Sequence, residues 1–280
     1  MNQVLTGTGV GLRVEHFPQL LDSEHNPVPW VEILADNFLA TGGTTLRNLE
    51  RVASRYPMTF HCVGLSLGST DPLNKTYLKR LKTQVNRFQP AIVSDHLAWV
   101  SVQNRYVHEL IPLPYTQESL ANIVSRIQQV QDYLQRPLAI ENPSAYLSFK
   151  HTELSETEFL NELVNQTGCN LLIDVNNIHV SATNNGFSST DYLAAIPAEA
   201  VVEIHLAGYE TQAGYLFDTH GQRVHPPVWD LYQQALQHFG QMPTLIEWDT
   251  DIPTFDVLLD EVNKAQYYLN QSQAVSECQI

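Results

Sequence analysis

Eight side chains in this 280-residue sequence are plausible metal donors by type and position, and six of them close a short apolar run. His61 stands in FHCVG, His96 in VSDHLAW, Glu141 in AIENP, Asp174 in LIDVNN, His205 in EIHLAG and Glu247 in LIEWDTD. Asp218 and His220 share DTHG, in the connection that follows His205. Alone, each has an ordinary structural use, as a hydrogen-bonded core histidine or a helix-capping acid. The combination is harder to explain that way. Glu141, Asp174 and Glu247 follow apolar residues and are expected to be shielded from water, where an isolated ionised carboxylate is costly even after relaxation. Three such groups crowded together raise one another's pKa unless cations neutralise them. Few basic side chains stand at neighbouring run ends, Arg13 being the main exception. Metal ions would supply the missing positive charge, with neutral imidazoles as co-ligands. One ion takes about four to six ligands, so this many donors, some of them shared, suit two or three ions. Nitrogen and oxygen without thiolate is a set compatible with iron, manganese or zinc.

The elements that must bring these residues together are legible from periodicity. Apolar or β-branched runs alternate with longer amphipathic stretches along the chain. The runs predict strands at Gly9–Val14, Trp30–Leu34, Met58–Val63, Ala91–Asp95, Leu138–Glu141, Leu171–Val175, Val201–Leu206 and Thr244–Trp248. Helices are predicted at Thr44–Arg55, Lys75–Phe88, Gln117–Leu134, Glu156–Thr167, Ser189–Ile196 and Val228–Phe239. Pro57, Pro90, Pro137 and Pro243 each precede a strand, where helices stop, and Gly168 reads as a helix C-cap. Eight β-α units without a linker predict an α/β fold, a (β/α)8 TIM barrel, which takes about 250 residues. The alternative, a doubly wound open sheet, ordinarily brings a GxGxxG phosphate turn that is absent here. Residues 1–270 are thus expected to form one barrel domain and 271–280 a flexible C-terminal tail. In a barrel the strand ends converge on one mouth. The long polar connection Tyr209–Pro227 is expected to be a functional loop.

Composition excludes several other classes. Thirty acidic against 15 basic side chains leave a formal net charge of −15, which opposes a nucleic-acid or anionic-membrane partner. The cysteines Cys62, Cys169 and Cys278 have no CxxC spacing, so neither a disulfide framework nor a thiolate zinc knuckle is expected. The N-terminal residues lack the pattern of a signal peptide, and no apolar run approaches the ~18 residues of a membrane span. A soluble cytoplasmic protein is the expectation.

Longer strings narrow the reading. GVGLR, VEILADNF, HCVGLSLGS, SDHLAW, HELIPLPYT, IENPSAYL, LLIDVNNIHVSA, EIHLAGY, DTHG, VWDLY and TLIEWDTDIP run from about Gly9 to Pro253. They resemble the multinuclear non-haem iron-dependent oxidative enzymes (MNIO), within the xylose isomerase-like and endonuclease IV-like TIM-barrel superfamily. The resemblance implies two or three iron ions (Fe2+/Fe3+), with zinc or manganese as substitutes. His61, His96 and a bridging Glu141 would hold one ion, and Glu141, Asp174, His205 and Glu247 a second. Asp218, His220 and Asn177 would hold the third. Asn177 stands where the endonuclease-type pattern has histidine, and its amide oxygen is the weaker donor, so the third ion is expected to be the most labile. His16, His108 and His179 are expected in supporting or structural places.

The same resemblance implies oxidation, with O2, of cysteine in a ribosomally synthesised precursor peptide, and a small partner protein that recognises the leader. Asp249 is the candidate catalytic acid, as proton shuttle or substrate contact. Asp95 is expected to steer the His96 ring, and Asn142 and Asn176 to fix carboxylates. The connections Tyr209–Pro227 and Leu65–Lys75 are expected to line a peptide groove. Two other classes remain open from sequence. One is a metal-dependent hydrolase or isomerase of the endonuclease IV or xylose isomerase type; the other is a noncatalytic metal-containing peptide-binding subunit.

Overall fold

The structure, a computed structural model, describes residues 4–277 apart from Asn104. Eight parallel strands close into a barrel: Thr8–Gly11, Val31–Leu34, Met58–Cys62, Val93–His96, Ala139–Glu141, Asn170–Asp174, Val201–Leu206 and Thr244–Ile246. They follow one another around the ring in chain order, and the last pairs with the first through Thr244 and Thr8. The expected (β/α)8 barrel is the fold. Its strands are buried on both faces, by helices outside and side chains inside, which is why they read as unbroken apolar runs.

Three helices, Lys75–Phe88, Gln117–Leu134 and Glu156–Thr167, begin and end where the sequence predicts, because their caps are local. The side chains of Asn74, Thr116 and Ser155 accept first-turn N–H groups, and Ser155 and Glu158 cap reciprocally. Gly168 closes the third helix at φ +65°.

Several elements differ from expectation. The first strand stops at Gly11, because Val14–His16 turns into a short 3-10 helix. The sixth stops at Asp174, whose Oδ1 accepts the Asn177 N–H at 2.7 Å and caps an unexpected helix, Val175–Asn185. The β-branched and Asn-rich composition of that helix is unfavourable, so its cap and its packing on the barrel decide it. A hairpin, Trp99–Val102 with Arg105–Ile111, follows the fourth strand. Another, Glu210–Gln212 with Tyr215–Phe217, sits inside the Tyr209–Pro227 connection and is clamped by Asn184, which bonds both the N–H and the C=O of Leu216. The last helix, Phe255–Glu277, runs into the segment expected as a tail, and residues 278–280 lie outside the described residues. Among the described residues no helix is long and apolar enough to cross a membrane.

Alternate residues of a strand face the barrel axis. Thr59 and His61 therefore stack in the third strand, as Glu203 and His205 do in the seventh. The interior has a lower level containing Glu32, Thr59 and Glu203, and an upper level carrying the histidines.

Candidate metal centre

The strand ends bring the sequence-selected donors together. His61 Nε2 lies 3.2 Å from Glu141 Oε2, His96 Nε2 lies 3.3 Å from the same oxygen, and the two nitrogens are 3.2 Å apart. For bonds of about 2.1 Å to a common ion, such separations subtend roughly 100°, an ordinary angle for co-ligands on one face of a metal. The ring orientations are prepared. His61 Nδ1 is 2.8 Å from Ser94 Oγ, which leaves Nε2 facing Glu141.

Glu141 faces two ways. Its Oε2 meets the histidine pair, whereas Oε1 lies toward His205 Nδ1 at 4.0 Å. Glu141, Asp174, His205 and Glu247 form a second group whose donor atoms all lie within 4.8 Å of one another. His205 Nδ1 is 3.1 Å from Glu247 Oε2. A carboxylate with one oxygen in each group has the geometry of a bridge.

His220 organises the third cluster. Its Nε2 lies 2.8 Å from Asp218 and 3.9 Å from Asp174, and its Nδ1 lies 3.2 Å from Glu247 and 3.4 Å from Asp249. The Asp249 N–H donates to the His220 carbonyl at 2.7 Å. Of the expected trio of Asp218, His220 and Asn177, the first two lie side by side. Asn177 turns its amide nitrogen toward Asn142 O at 3.1 Å and Glu141 Oε1 at 3.5 Å, and its buried Oδ1 has no hydrogen-bond partner among the described residues. Asp249 joins His220 and Glu247 in the group instead, and also pairs with Arg13.

The supporting residues behave largely as the sequence suggests. Asn142 clamps the Asp174 backbone, donating to its carbonyl at 3.0 Å and accepting its N–H at 2.9 Å. Asn176 donates to Asp218 Oδ1 at 2.7 Å. Asp95 lies 3.8 Å from His96 Nδ1, too far for a hydrogen bond; it accepts the backbone N–H groups of His96 and Leu65 and acts on the ring through its charge. His16 bonds to Pro253 O, His179 packs on Tyr209, and His108 is exposed on the hairpin after the fourth strand. Gly208 lets the loop bearing Asp218 and His220 fold back on the barrel. A Cβ there would stand 2.3 Å from Gln222 O and 2.5 Å from Arg223 O.

Three residues escaped sequence reasoning: Ser94, Glu32 and Glu203. Both acids are buried, and with His205 they form a further group of possible donors beneath the centre. The spacing Glu203-x-His205 was the available clue, since residues two apart on a strand share a face.

Electrostatics show what the cluster lacks. Burial pushes the carboxyls of Glu141 up to about 8, Asp174 up to about 7 and Asp95 up to about 6. Burial pushes Glu247 the same way, but His205 and His220 outweigh it and hold that group well below the usual carboxylate range. Burial opposes charge on His96, yet Glu141 and Asp95 raise it to about 9. Burial, with His96 alongside, keeps His61 far below the usual value, as a neutral ring with a free lone pair. Among the described residues Glu141 Oε2 and Asp174 Oδ2 have no hydrogen-bond partner, though buried polar atoms ordinarily find one. Oxygen and imidazole donors gathered in this way fit metal ions, which compete with protons for these atoms.

A cavity of about 360 Å³ opens over the centre, lined by Arg13, Leu34, His61, His96, Leu110, Glu247 and Asp249 among others. Leu110 comes from the hairpin after the fourth strand. The segment Leu65–Lys75, expected at the substrate groove, lines two separate clefts.

A closed parallel barrel with candidate metal donors at the C-terminal ends of its strands is the fold of xylose isomerase-like TIM barrels. Endonuclease IV from Thermus thermophilus superposes with a TM-score of 0.60 at 11% identity, over 95% of this chain and 99% of that one. A xylose isomerase-like TIM-barrel protein from Mycobacterium smegmatis, in complex with magnesium, superposes with a TM-score of 0.56 at 10% identity, over 84% and 81%. These likenesses concern the fold. The chain itself belongs to the family of RiPP precursor modification enzymes described as MbnB/TglH/ChrH, whose model matches residues 7–270. A UPF0276 protein of Acaryochloris marina is 54% identical over 268 residues, covering 95% of this chain and 96% of that relative.

Proposed function

We propose that this protein is an iron-dependent, O2-using enzyme that oxidises cysteine in a ribosomally synthesised precursor peptide. The observation that carries the reading is the placement of the two Glu141 oxygens, one against His61 and His96 and the other toward His205. In this reading His61, His96 and Glu141 hold one ion, and Glu141, Asp174, His205 and Glu247 a second. His220 and Asp218 hold a third, more loosely, with Asn177 or Asp249 completing its ligands. Bound iron supplies an open position for a substrate thiolate and electrons for O2.

The chain's own side chains do the rest. In this reading the cavity of about 360 Å³ over the centre receives the substrate cysteine. Ser94 holds the His61 ring in the tautomer with Nε2 free. Asp249, nearly half exposed, joins solvent to His220 Nδ1, which suits a group that carries protons in or out. Arg13 holds the Asp249 carboxylate at the rim. The acidic charge of −15 disfavours the endonuclease alternative, and a small leader-recognising partner belongs to the same proposal.

The test is anaerobic purification with metal quantification, then addition of O2 and a cysteine-containing precursor peptide, followed by mass spectrometry. Two or three irons per chain and an O2-dependent mass change at cysteine are expected. A metal-loaded protein that leaves the peptide unchanged, with and without candidate partner proteins, overturns the reading.

A further inference from the structure

Beneath the metal donors lie two carboxylates that none of the three ligand sets needs. Glu203 is wholly buried, and neither of its oxygens has a hydrogen-bond partner among the described residues. Glu32 is buried too, with Oε2 accepting the Thr59 hydroxyl at 2.8 Å. Both acids face the His205 ring, whose Nε2 is 3.3 Å from Glu32 Oε1 and 3.7 Å from Glu203 Oε1. The opposite nitrogen, Nδ1, faces Glu247 and Glu141.

We propose that Glu32 and Glu203 are positioning residues for His205. They hold its proton on Nε2 and so aim the Nδ1 lone pair at the group formed by Glu141, Asp174 and Glu247. This inference rests on the metal centre proposed above. A neutral imidazole protonates one nitrogen, and the partner of that N–H decides which nitrogen is free to bind an ion. A lone pair on Nε2 would point at the nearer carboxylate, Glu32, and be repelled, whereas an N–H there is attracted by it. The ring is wholly buried. At 3.3 Å the contact with Glu32 is longer than an ordinary hydrogen bond. The hold is therefore electrostatic and comes mainly from Glu32, which Thr59 anchors, with Glu203 enclosing the same nitrogen. Negative charge on that side also makes Nδ1 a stronger donor.

The test uses Glu32→Leu, Glu32→Gln and Thr59→Val, each loaded with iron-57 and measured by chelator competition and Mössbauer spectroscopy. Glu32→Leu is expected to weaken one ion by about 10- to 100-fold, the usual effect of losing such an outer partner, and to shift one iron doublet alone. Glu32→Gln keeps an acceptor oxygen but removes the charge, so it is expected to weaken the same ion less than Glu32→Leu does, with Thr59→Val smaller again. If Glu32→Leu fails to fold, Thr59→Val and Glu32→Gln carry the same readouts. Unchanged affinities and spectra in the variants, beside a normally loaded parent, overturn this inference and leave the metal centre standing. A parent chain that binds no ions overturns the centre itself. Loss of an additional ion from both Glu32 variants would mean that a cation, and not a proton, lies between the acids, and would also overturn the inference.

Discussion

Asp249 is tied to His220 twice, by its backbone N–H to the His220 carbonyl at 2.7 Å and by its carboxylate, 3.4 Å from His220 Nδ1. The two residues come from different connections, and His220 adopts a left-handed φ of +45° to make the meeting. A bulky residue holds that conformation only where its surroundings insist on it. Here the insistence comes from the exit of the eighth strand, and it joins an exposed acid to a buried cluster.

If that contact carries protons, Asp249→Asn should lower turnover by about 100-fold or more, within the ~10²–10⁴ contributed by a positioned acid or base. Metal per chain should stay at the parent value. Loss of an ion together with activity would instead make Asp249 a ligand.

Comparing two deletions tests the bridging geometry of Glu141. His61→Ala is expected to release one ion per chain and Glu141→Ala two, counted by elemental analysis after desalting. Equal losses would show that Glu141 serves one ion only.

The shifted carboxyls and His96 give a pH dependence with a definite sign. Burial raises Glu141 from 4.5 to about 8 and Asp174 from 3.8 to about 7, and the neighbouring acids raise His96 from 6.5 to about 9. All three are raised above their unfolded values, so the stability they lend the metal-free chain is complete below those values and lost as pH climbs through the folded ones. The shifts of Glu247 and His61 run downward, so those two contributions are lost on the acid side. From about pH 6 to 9 the melting temperature of the metal-free protein should therefore fall. Over the same range the gap between loaded and metal-free protein should widen, because ions no longer compete with protons. Melting curves with and without metal check this; a gap that does not change with pH would count against the shared site.

Gly208→Ala should leave the barrel folded but displace the loop that carries Asp218 and His220, because the added methyl would strike the backbone of Gln222 and Arg223. Loss of one ion, retention of those bound by His61 and Glu141, and lower activity are expected from circular dichroism, elemental analysis and a peptide assay. Full metal content would mean that the third cluster does not depend on the loop.

Much of this was legible in the chain order of residues. The alternation of short apolar runs with capped amphipathic stretches specifies a parallel barrel, because strands dry on both faces and helices with one dry face have few other ways to pack. The barrel in turn predicts that His61, His96, Glu141, Asp174, His205 and Glu247, each closing a run, meet at one mouth. The helix Val175–Asn185 was hidden because its N-cap, Asp174, is also a strand-end carboxylate and its composition disfavours helix. The two hairpins were hidden because their strands are short and partly exposed, without a continuous apolar run.

What only the tertiary structure decided is which atoms face which. Sequence identifies the donors, but side-chain direction is set by packing across strands far apart in the chain. Glu141 therefore spans two groups, Asp249 comes to lie beside His220, and Glu32 reaches the His205 ring from a strand three places away around the barrel.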